Sequence, residues 1–186
     1  MQGPVHAILL YGLVPLWIFA GVGDWWCHRR TAIERNAGLR ESIMHSLMMI
    51  EVGIPVLMAV FLEINALVLT IMMAAAIVHA VTAWIDVAYA TTKRPVVPVE
   101  QHMHSLLEVL PLAAIALLAS VYWDQFLSIF GAGPAKPDFW LSLKATPLPP
   151  GEIFGLLLAV VAFVIAPYAE ELLRCARHRK VPHHLG

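Results

Sequence analysis

The sequence has few charged residues and few cysteines. Only 13% of its 186 residues are charged, whereas an average soluble domain has roughly 25%. The formal net charge is -1, which excludes a broadly basic nucleic-acid-binding protein. Two cysteines, Cys27 and Cys175, do not indicate a disulfide framework. The N-terminus lacks a basic region followed by a small-residue cleavage site, so we expect the first apolar run to be a retained span.

Long apolar runs dominate the rest of the chain, because hydrophobic residues make up 60% of it. A membrane-spanning helix needs about 20 mostly apolar residues. Five segments meet this requirement, at about 6–29, 41–63, 65–90, 101–123 and 152–174. A stretch rich in proline and glycine, 131–151, is predicted to be a loop. The sequence therefore predicts an all-α, five-helix transmembrane protein.

Basic residues predict the orientation of these spans. With five alternating spans, ten of the twelve lysines and arginines fall on one side, and only Lys136 and Lys144 fall on the other. Cytoplasmic loops carry the excess of basic residues. We therefore expect the N-terminus outside and the C-terminus in the cytoplasm. The ten are Arg29, Arg30, Arg35, Arg40, Lys93, Arg94, Arg174, Arg177, Arg179 and Lys180.

Spans one to four contain many ionisable residues, which are costly in a membrane and by default indicate function. Residues four apart share one face of a helix. Three of the spans have a carboxylate and a histidine at this spacing, and the third has the pair His79 and Asp86 two turns apart. His102 points away from this face. The i, i+4 pairs are Asp24/His28, Glu41/His45 and Glu100/His104, and His104/Glu108 repeats the spacing.

Carboxylate and imidazole side chains that converge from several helices are typical of metal sites in helical bundles. Ligands of these two kinds without cysteine suit Fe, Mn or Zn. A chain of such groups can also act as a proton relay without metal. We predict a four-helix bundle, spans one to four, that holds two metal ions near the cytoplasmic face, with Fe favoured and Zn or Mn as alternatives. The predicted ligands are Asp24, His28, Glu41, His45, His79, Asp86, Glu100, His104 and Glu108.

Glu51, His79 and Glu108 lie roughly 10 Å deeper in the membrane than the other ionisable groups, from the rise of a helix. Glu51 and Glu108 are the candidate catalytic residues, since a spare carboxylate can serve as a general base. Whether Glu34, Glu51, His79 and His102 are ligands or partners of ligands stays open. Three units are expected: the metal-binding bundle at 1–130, the extracytoplasmic proline-rich loop at 131–151, and the fifth span with its basic cytoplasmic tail at 152–186.

Three strings of residues resemble a family of small bacterial integral-membrane proteins over about residues 20–112. They are Asp24-Trp-Trp-Cys-His-Arg-Arg30, Gly38-Leu-Arg-Glu-Ser42 with His45, and Glu100-Gln-His-Met-His-Ser105 with Glu108. The resemblance implies a bacterial inner membrane but no activity. In architecture the site is also similar to membrane di-iron hydroxylases and desaturases. The chain departs from these enzymes because it lacks their His-x-x-His-His boxes and has more carboxylates.

Three functions follow as hypotheses. The first is a di-iron oxidoreductase that acts on a lipid or another hydrophobic small molecule entering sideways from the bilayer. The second is a zinc-dependent intramembrane hydrolase, in which the metal activates water. The third is a non-catalytic metal-binding accessory subunit. An electron-donor protein and a second copy of the chain are allowed as partners, and nucleic acid is not expected.

Overall fold

The computed structural model describes residues 3–179, and Lys180 and the rest of the predicted tail lie outside the described residues. Five helices in this range are long and apolar enough to cross a membrane. They are α1 (Pro4–Arg30), α2 (Gly38–Phe61), α3 (Ala66–Lys93), α4 (Pro98–Val121) and α6 (Pro150–Arg179). A short helix, α5 (Trp123–Ser128), follows α4. The prediction of an all-α chain with five helices of spanning length is therefore confirmed.

Local sequence explains where several of these helices begin. Pro98 and Pro150 occupy the first turns of α4 and α6, where proline has no helical hydrogen bond to lose. The Asn65 side chain accepts a hydrogen bond from the Val68 N–H and so caps the start of α3. Two short π-helical segments, Ile8–Leu13 and Val161–Ile165, interrupt α1 and α6 without ending them.

The five long helices form a closed ring in the order α1, α4, α3, α2, α6, with α6 again touching α1. We predicted a four-helix bundle with a separate fifth span. Instead, α6 packs along α2 and against α1, so that all five helices surround one interior. We call the end where α1, α3 and α6 end, and where α2 and α4 begin, the site end. The opposite end is the distal end.

Polar residues lie inside the ring and apolar residues outside. Asp24, Glu41 and Glu171 are at most 1% exposed, whereas Trp84 is 73% and Ile77 67% exposed. In water this distribution would leave a large apolar surface uncovered. In a bilayer the lipid tails cover the apolar exterior, and the helices satisfy their own backbone groups.

The chain between α5 and α6 closes the distal end. This segment corresponds to the loop predicted at 131–151. The Glu63 N–H donates to the Ser142 carbonyl and the Lys144 N–H to the Phe61 carbonyl, so this loop runs antiparallel to the α2–α3 turn. The Lys144 ammonium also donates to the carbonyls of Ala59 and Leu62, which end α2. Burial lowers the pKa of Lys144, and the nearby charge of Glu63 partly offsets this decrease.

Apolar packing between α3 and α4 is concentrated toward the distal end. The buried core there includes Leu69 and Met72 of α3 and Leu118 of α4. Toward the site end α3 instead turns small residues, Ala83 and Ala90, inward. The two helices are therefore locked together at the distal end and leave space between them at the site end.

Candidate metal centre

Two imidazole rings stack at the centre of the site end. His28 of α1 and His45 of α2 have ring centroids 4.4 Å apart and planes that differ by 7°. Glu171 of α6 lies beside both rings. Its Oε2 is 2.9 Å from Nδ1 of His28 and its Oε1 is 2.8 Å from Nδ1 of His45. Because a carboxylate accepts hydrogen bonds, both Nδ1 atoms carry the proton, and both Nε2 atoms are turned to the opposite side.

The Nε2 atom of His28 faces two carboxylates. It lies 3.5 Å from Asp24 Oδ2, one helical turn away, and 3.4 Å from Glu100 Oε1 of α4. All three side chains are buried. Their ligand atoms are close enough to one another that one metal ion could contact all three.

The Nε2 atom of His45 has a similar environment. It is 3.3 Å from Asp86 Oδ2 of α3 and 4.0 Å from Glu41 Oε1, one turn earlier in α2. Each of the two stacked histidines therefore has one nitrogen bonded to the shared Glu171 and the other facing an aspartate and a glutamate.

His104 of α4 lies between the two aspartates. Its Nδ1 is 3.6 Å from Asp24 Oδ1, and its Nε2 is 3.6 Å from Asp86 Oδ2. This third imidazole connects the two halves of the site. We refer to the seven side chains together as the histidine–carboxylate cluster, which consists of Asp24, His28, Glu41, His45, Asp86, Glu100 and His104.

Arg94 closes the site end of the cluster. It follows the last residue of α3, and its guanidinium donates to both Glu41 and Glu100. Burial of Arg94 works against its positive charge, but the hydrogen bonds to Glu100 and Glu41 outweigh burial and raise its pKa. This residue remains a cation that offsets part of the negative charge of the cluster.

Several buried polar atoms of the cluster have no hydrogen-bond partner within residues 3–179. Such atoms are costly unless a partner is supplied. Tyr168 of α6 reaches Asp24 with its hydroxyl, at 3.3 Å from Oδ2, but leaves the other oxygen of that carboxylate unbonded. The unbonded atoms of the cluster are Asp24 Oδ1, Glu41 Oε2, Asp86 Oδ1 and His104 Nε2.

The separations around His28 Nε2 fit metal coordination better than direct ion pairing. Charge-assisted N–H···O bonds are about 2.7–2.9 Å long. Ligands bound to one ion at about 2.1 Å lie about 3.0–3.4 Å from each other in tetrahedral or octahedral geometry. The Nε2 atom of His28 has its two carboxylate neighbours at 3.4 and 3.5 Å, while its Nδ1 has a normal 2.9 Å bond to Glu171. The chemistry of the donor set therefore suits a metal on the Nε2 side.

A second, smaller polar group lies closer to the distal end. Glu51 Oε1 accepts a hydrogen bond of 2.8 Å from Thr82, and Glu51 Oε2 is 3.5 Å from His79 Nδ1. A cavity of about 40 Å³ separates His79 from the cluster. Half-buried Glu108 also lines this cavity, together with Asp24, His45 and His104.

Seven of the nine predicted metal ligands are brought together in the cluster. His79 and Glu108 face the adjacent cavity, and in the described part of the chain neither makes an ion pair with a cluster residue. Glu51, a predicted catalytic residue, is paired with His79 and does not line that cavity, whereas Glu108 does. Of the residues left open, His102 is exposed and bonds to its own helix. Glu34 pairs with Arg174 outside the cluster.

Three residues of the site were missed by the sequence analysis. They are Glu171, Tyr168 and Arg94. Glu171 and Tyr168 lie on a buried stripe of α6 at helical spacing, together with Val164 and Cys175. This stripe was the available signal, because the adjacent Glu170 lies off it and bonds Trp25 and Arg174.

The arginines near the cluster other than Arg94 contact aromatic rings or a carboxylate outside the cluster. Arg30 lies over the ring of Trp26 and Arg40 over the ring of Tyr89. Arg29 pairs with Glu170. Arg94, which was counted only as a topological charge, is the arginine that contacts the cluster.

Together, the fold and the site define a helical protein with five helices of membrane-spanning length and a buried group of histidines and carboxylates compatible with metal binding. Comparisons with protein-family models, with curated proteins and with solved structures found no match.

Proposed function

We propose that this chain is an integral membrane metalloprotein that binds two metal ions in the histidine–carboxylate cluster. One observation carries the proposal: a single carboxylate, Glu171, bonds the Nδ1 atoms of His28 and His45 at once. Histidines that ligate metals generally donate their other N–H to such a carboxylate, which fixes the ring and its tautomer. The unbonded oxygens of Asp24, Glu41 and Asp86 support the same conclusion.

The ligands divide into two sets around the stacked rings. His28, Asp24 and Glu100 would hold one ion, and His45, Asp86 and Glu41 the other. His104, which lies between Asp24 and Asp86, would serve either ion. Four carboxylates and three imidazoles without a thiolate suit iron, and zinc or manganese are the alternatives.

With iron bound, the site would activate O2, and an external donor would supply the electrons. The reaction that we favour is therefore the oxidation of a lipid or another hydrophobic molecule. The residues of the chain would contribute the following. Glu171 fixes the orientation of both imidazoles, and Arg94 bridges Glu41 and Glu100 at the site end. The Tyr168 hydroxyl donates a hydrogen bond to Asp24, and the apolar walls of the ring exclude bulk water.

A zinc-dependent hydrolase is the second candidate, and the position of Glu108 favours it. This carboxylate borders the cavity beside His45 and His104 without being part of the cluster. A general base in a zinc site must stand within reach of a metal-activated water but outside the ligand set. The place of Glu108 beside the cavity and outside the cluster supports it as that base, whereas Glu51 bonds Thr82, lies beside His79 and does not line the cavity.

For the membrane orientation we propose that the site end faces the cytoplasm of a bacterial cell. Lys136 and Lys144 are at the distal end, and the remaining basic residues between 29 and 179 are at the site end. The distribution of basic residues favours this orientation.

Metal analysis of the protein purified in detergent tests the proposal. Two ions per chain are expected in the wild type, with iron predicted over zinc. His45→Ala and His104→Ala should each lose at least one ion while retaining the helical circular dichroism spectrum. His102→Ala is the matched control, since His102 is exposed on the same helix as His104. A wild-type protein that holds no metal after reconstitution with Fe2+, Zn2+ or Mn2+ would overturn the proposal.

A further inference from the structure

The cluster can be reached from one side of the ring. A crevice of about 380 Å³ lies between α3 and α4 at the site end. Its outer part is lined by Trp84 and Val87 of α3 and by Gln101 and Ser105 of α4, and these four residues are exposed on the face turned to lipid. Its inner end reaches His104 and Asp86.

The helices themselves account for the crevice. Large apolar side chains fill the α3–α4 seam toward the distal end. At the site end, the α3 side of the crevice has Ala83 and Ala90, whose methyl groups leave the space open. Two buried oxygens without a partner in the described chain, Asp86 Oδ1 and Glu41 Oε2, belong to residues at its inner end. The crevice therefore combines small side chains on its α3 side with carboxylate oxygens at its inner end that have no hydrogen-bond partner.

We propose that this crevice admits a single-chain amphiphile from the bilayer, with an uncharged polar head group and with its reacting carbon close to that head group. The proposal deepens the proposed function, because it names the substrate class of the same site.

Depth determines which part of the amphiphile meets the cluster. Asp86 lies seven residues before Lys93, the end of α3, which corresponds to about 10 Å along the helix. His104 lies six residues after Pro98, the start of α4, or about 9 Å. A hydrocarbon core is about 30 Å thick, whereas α3, with 28 residues, is about 42 Å long. If α3 is centred in the bilayer, Asp86 lies about 4–5 Å inside the hydrocarbon core. An amphiphile with its head group at the interface would therefore present its first few carbons to the cluster, and not its chain end.

Charge determines the head group. The crevice lining described for residues 3–179 includes one lysine or arginine, Arg94, and that guanidinium is already bonded to Glu41 and Glu100. A carboxylate or phosphate head group at the mouth of the crevice would find no unbonded lysine or arginine in that lining to balance its charge. Gln101 and Ser105 instead offer uncharged donors and acceptors, which suit an alcohol, an aldehyde or an ester.

Photo-crosslinking tests the crevice without depending on metal. The probes are two long-chain alcohols in phosphatidylcholine vesicles, one with a diazirine at the third carbon and one with it at the chain end. Labelled peptides are mapped by mass spectrometry. The third-carbon probe should label residues 83–90 and 101–108, and the chain-end probe should label them at least about tenfold less.

Ser105→Trp should fill the mouth of the crevice and reduce labelling by the third-carbon probe about tenfold. Ser120→Trp is the matched control, because Ser120 is also an exposed serine of α4 that bonds its own helix backbone. Equal labelling in both variants, or stronger labelling by the chain-end probe, would overturn the inference. Preference for the corresponding fatty acid over the alcohol would overturn the head-group assignment. Metal content is measured in the same samples after reconstitution with Fe2+, Zn2+ or Mn2+, so crevice labelling in protein that still holds no metal would refute the proposed function alone.

Discussion

His28 and His45 come from helices of opposite direction, yet their rings stack 4.4 Å apart and share one carboxylate, Glu171. Stacking of two imidazole rings stabilises them little if both are charged. Other side chains must therefore hold the two rings in this arrangement. Glu171 does this on the Nδ1 side, and the cluster carboxylates lie on the Nε2 side.

Removal of one acceptor from Glu171 should weaken metal binding. In Glu171→Gln the side-chain amide has a single acceptor oxygen, so it can bond one imidazole but not both. Loss of such a carboxylate typically costs about 10–100-fold in metal affinity. We expect titration with Fe2+ or Zn2+ to show this loss for at least one of two ions. Glu170→Gln should titrate like the wild type, because Glu170 bonds Trp25 and Arg174 outside the cluster. Equal affinities for the two variants would contradict this role of Glu171.

Removal of Arg94 should destabilise the metal-free protein most. Arg94→Gln leaves Glu41 and Glu100 buried without their cation. Breaking a buried ion pair in this way costs about 3–5 kcal/mol. Thermal unfolding in detergent with a chelator should show a large fall in Tm, and a smaller fall after metal is added, since a bound cation replaces part of the lost charge.

Arg40→Gln is the control for Arg94, because exposed Arg40 contacts only the ring face of Tyr89 among the interactions described for it. Its effect should stay within about 1 kcal/mol. If Arg94→Gln and Arg40→Gln shift the metal-free Tm by the same amount, Arg94 does not have the electrostatic role assigned to it.

His79 and His104 should respond differently to the same substitution. Both were predicted ligands, but His104 lies between two cluster aspartates and His79 lies beside Glu51. His104→Gln should lower the number of bound ions, and His79→Gln should leave that number unchanged. Elemental analysis of both variants decides the matter. Loss of metal from His79→Gln would restore His79 to the ligand set.

Asn65 should matter for stability and not for metal. Its side chain caps α3 and also donates to Asp138 and to the Trp140 carbonyl, so it joins the distal loop to the helix. Loss of the cap alone costs about 1 kcal/mol. We expect Asn65→Ala to lower the unfolding free energy by about 1–2 kcal/mol at unchanged metal content. Ser120→Ala, on an exposed face, should change it by less than about 0.5 kcal/mol. A variant of Asn65 as stable as the wild type would show that the loop is held elsewhere.

The sequence predicted much of this site because helical spacing is a local property. Asp24 with His28 and Glu41 with His45 each share a helix face wherever the helices pack. Long apolar runs likewise defined the five spans, within a few residues at each end. These features depend only on residues close together in the chain.

Features that depend on helix packing were not predictable in the same way. Glu171 stands beside Glu170 at the end of an apolar span. Its stripe with Val164, Tyr168 and Cys175 can be identified as the inward face of α6 only once α6 is placed between α2 and α1. Arg94 has the same local sequence signal as any loop arginine, and it becomes part of the site because α2 and α4 bring Glu41 and Glu100 to it. That His104 lies in the cluster and His79 lies beside Glu51 likewise depends on how the helices pack in the ring.

The closed ring has a consequence for how the protein is made. The helix that supplies Glu171 follows the other four long helices in the sequence, and it packs between α1 and α2. Until it does so, His28 and His45 lack the carboxylate that orients them. A nascent chain halted before residue 150 has four of the five long helices but lacks Glu171, so the proposed metal centre would be completed only after α6 has been synthesised.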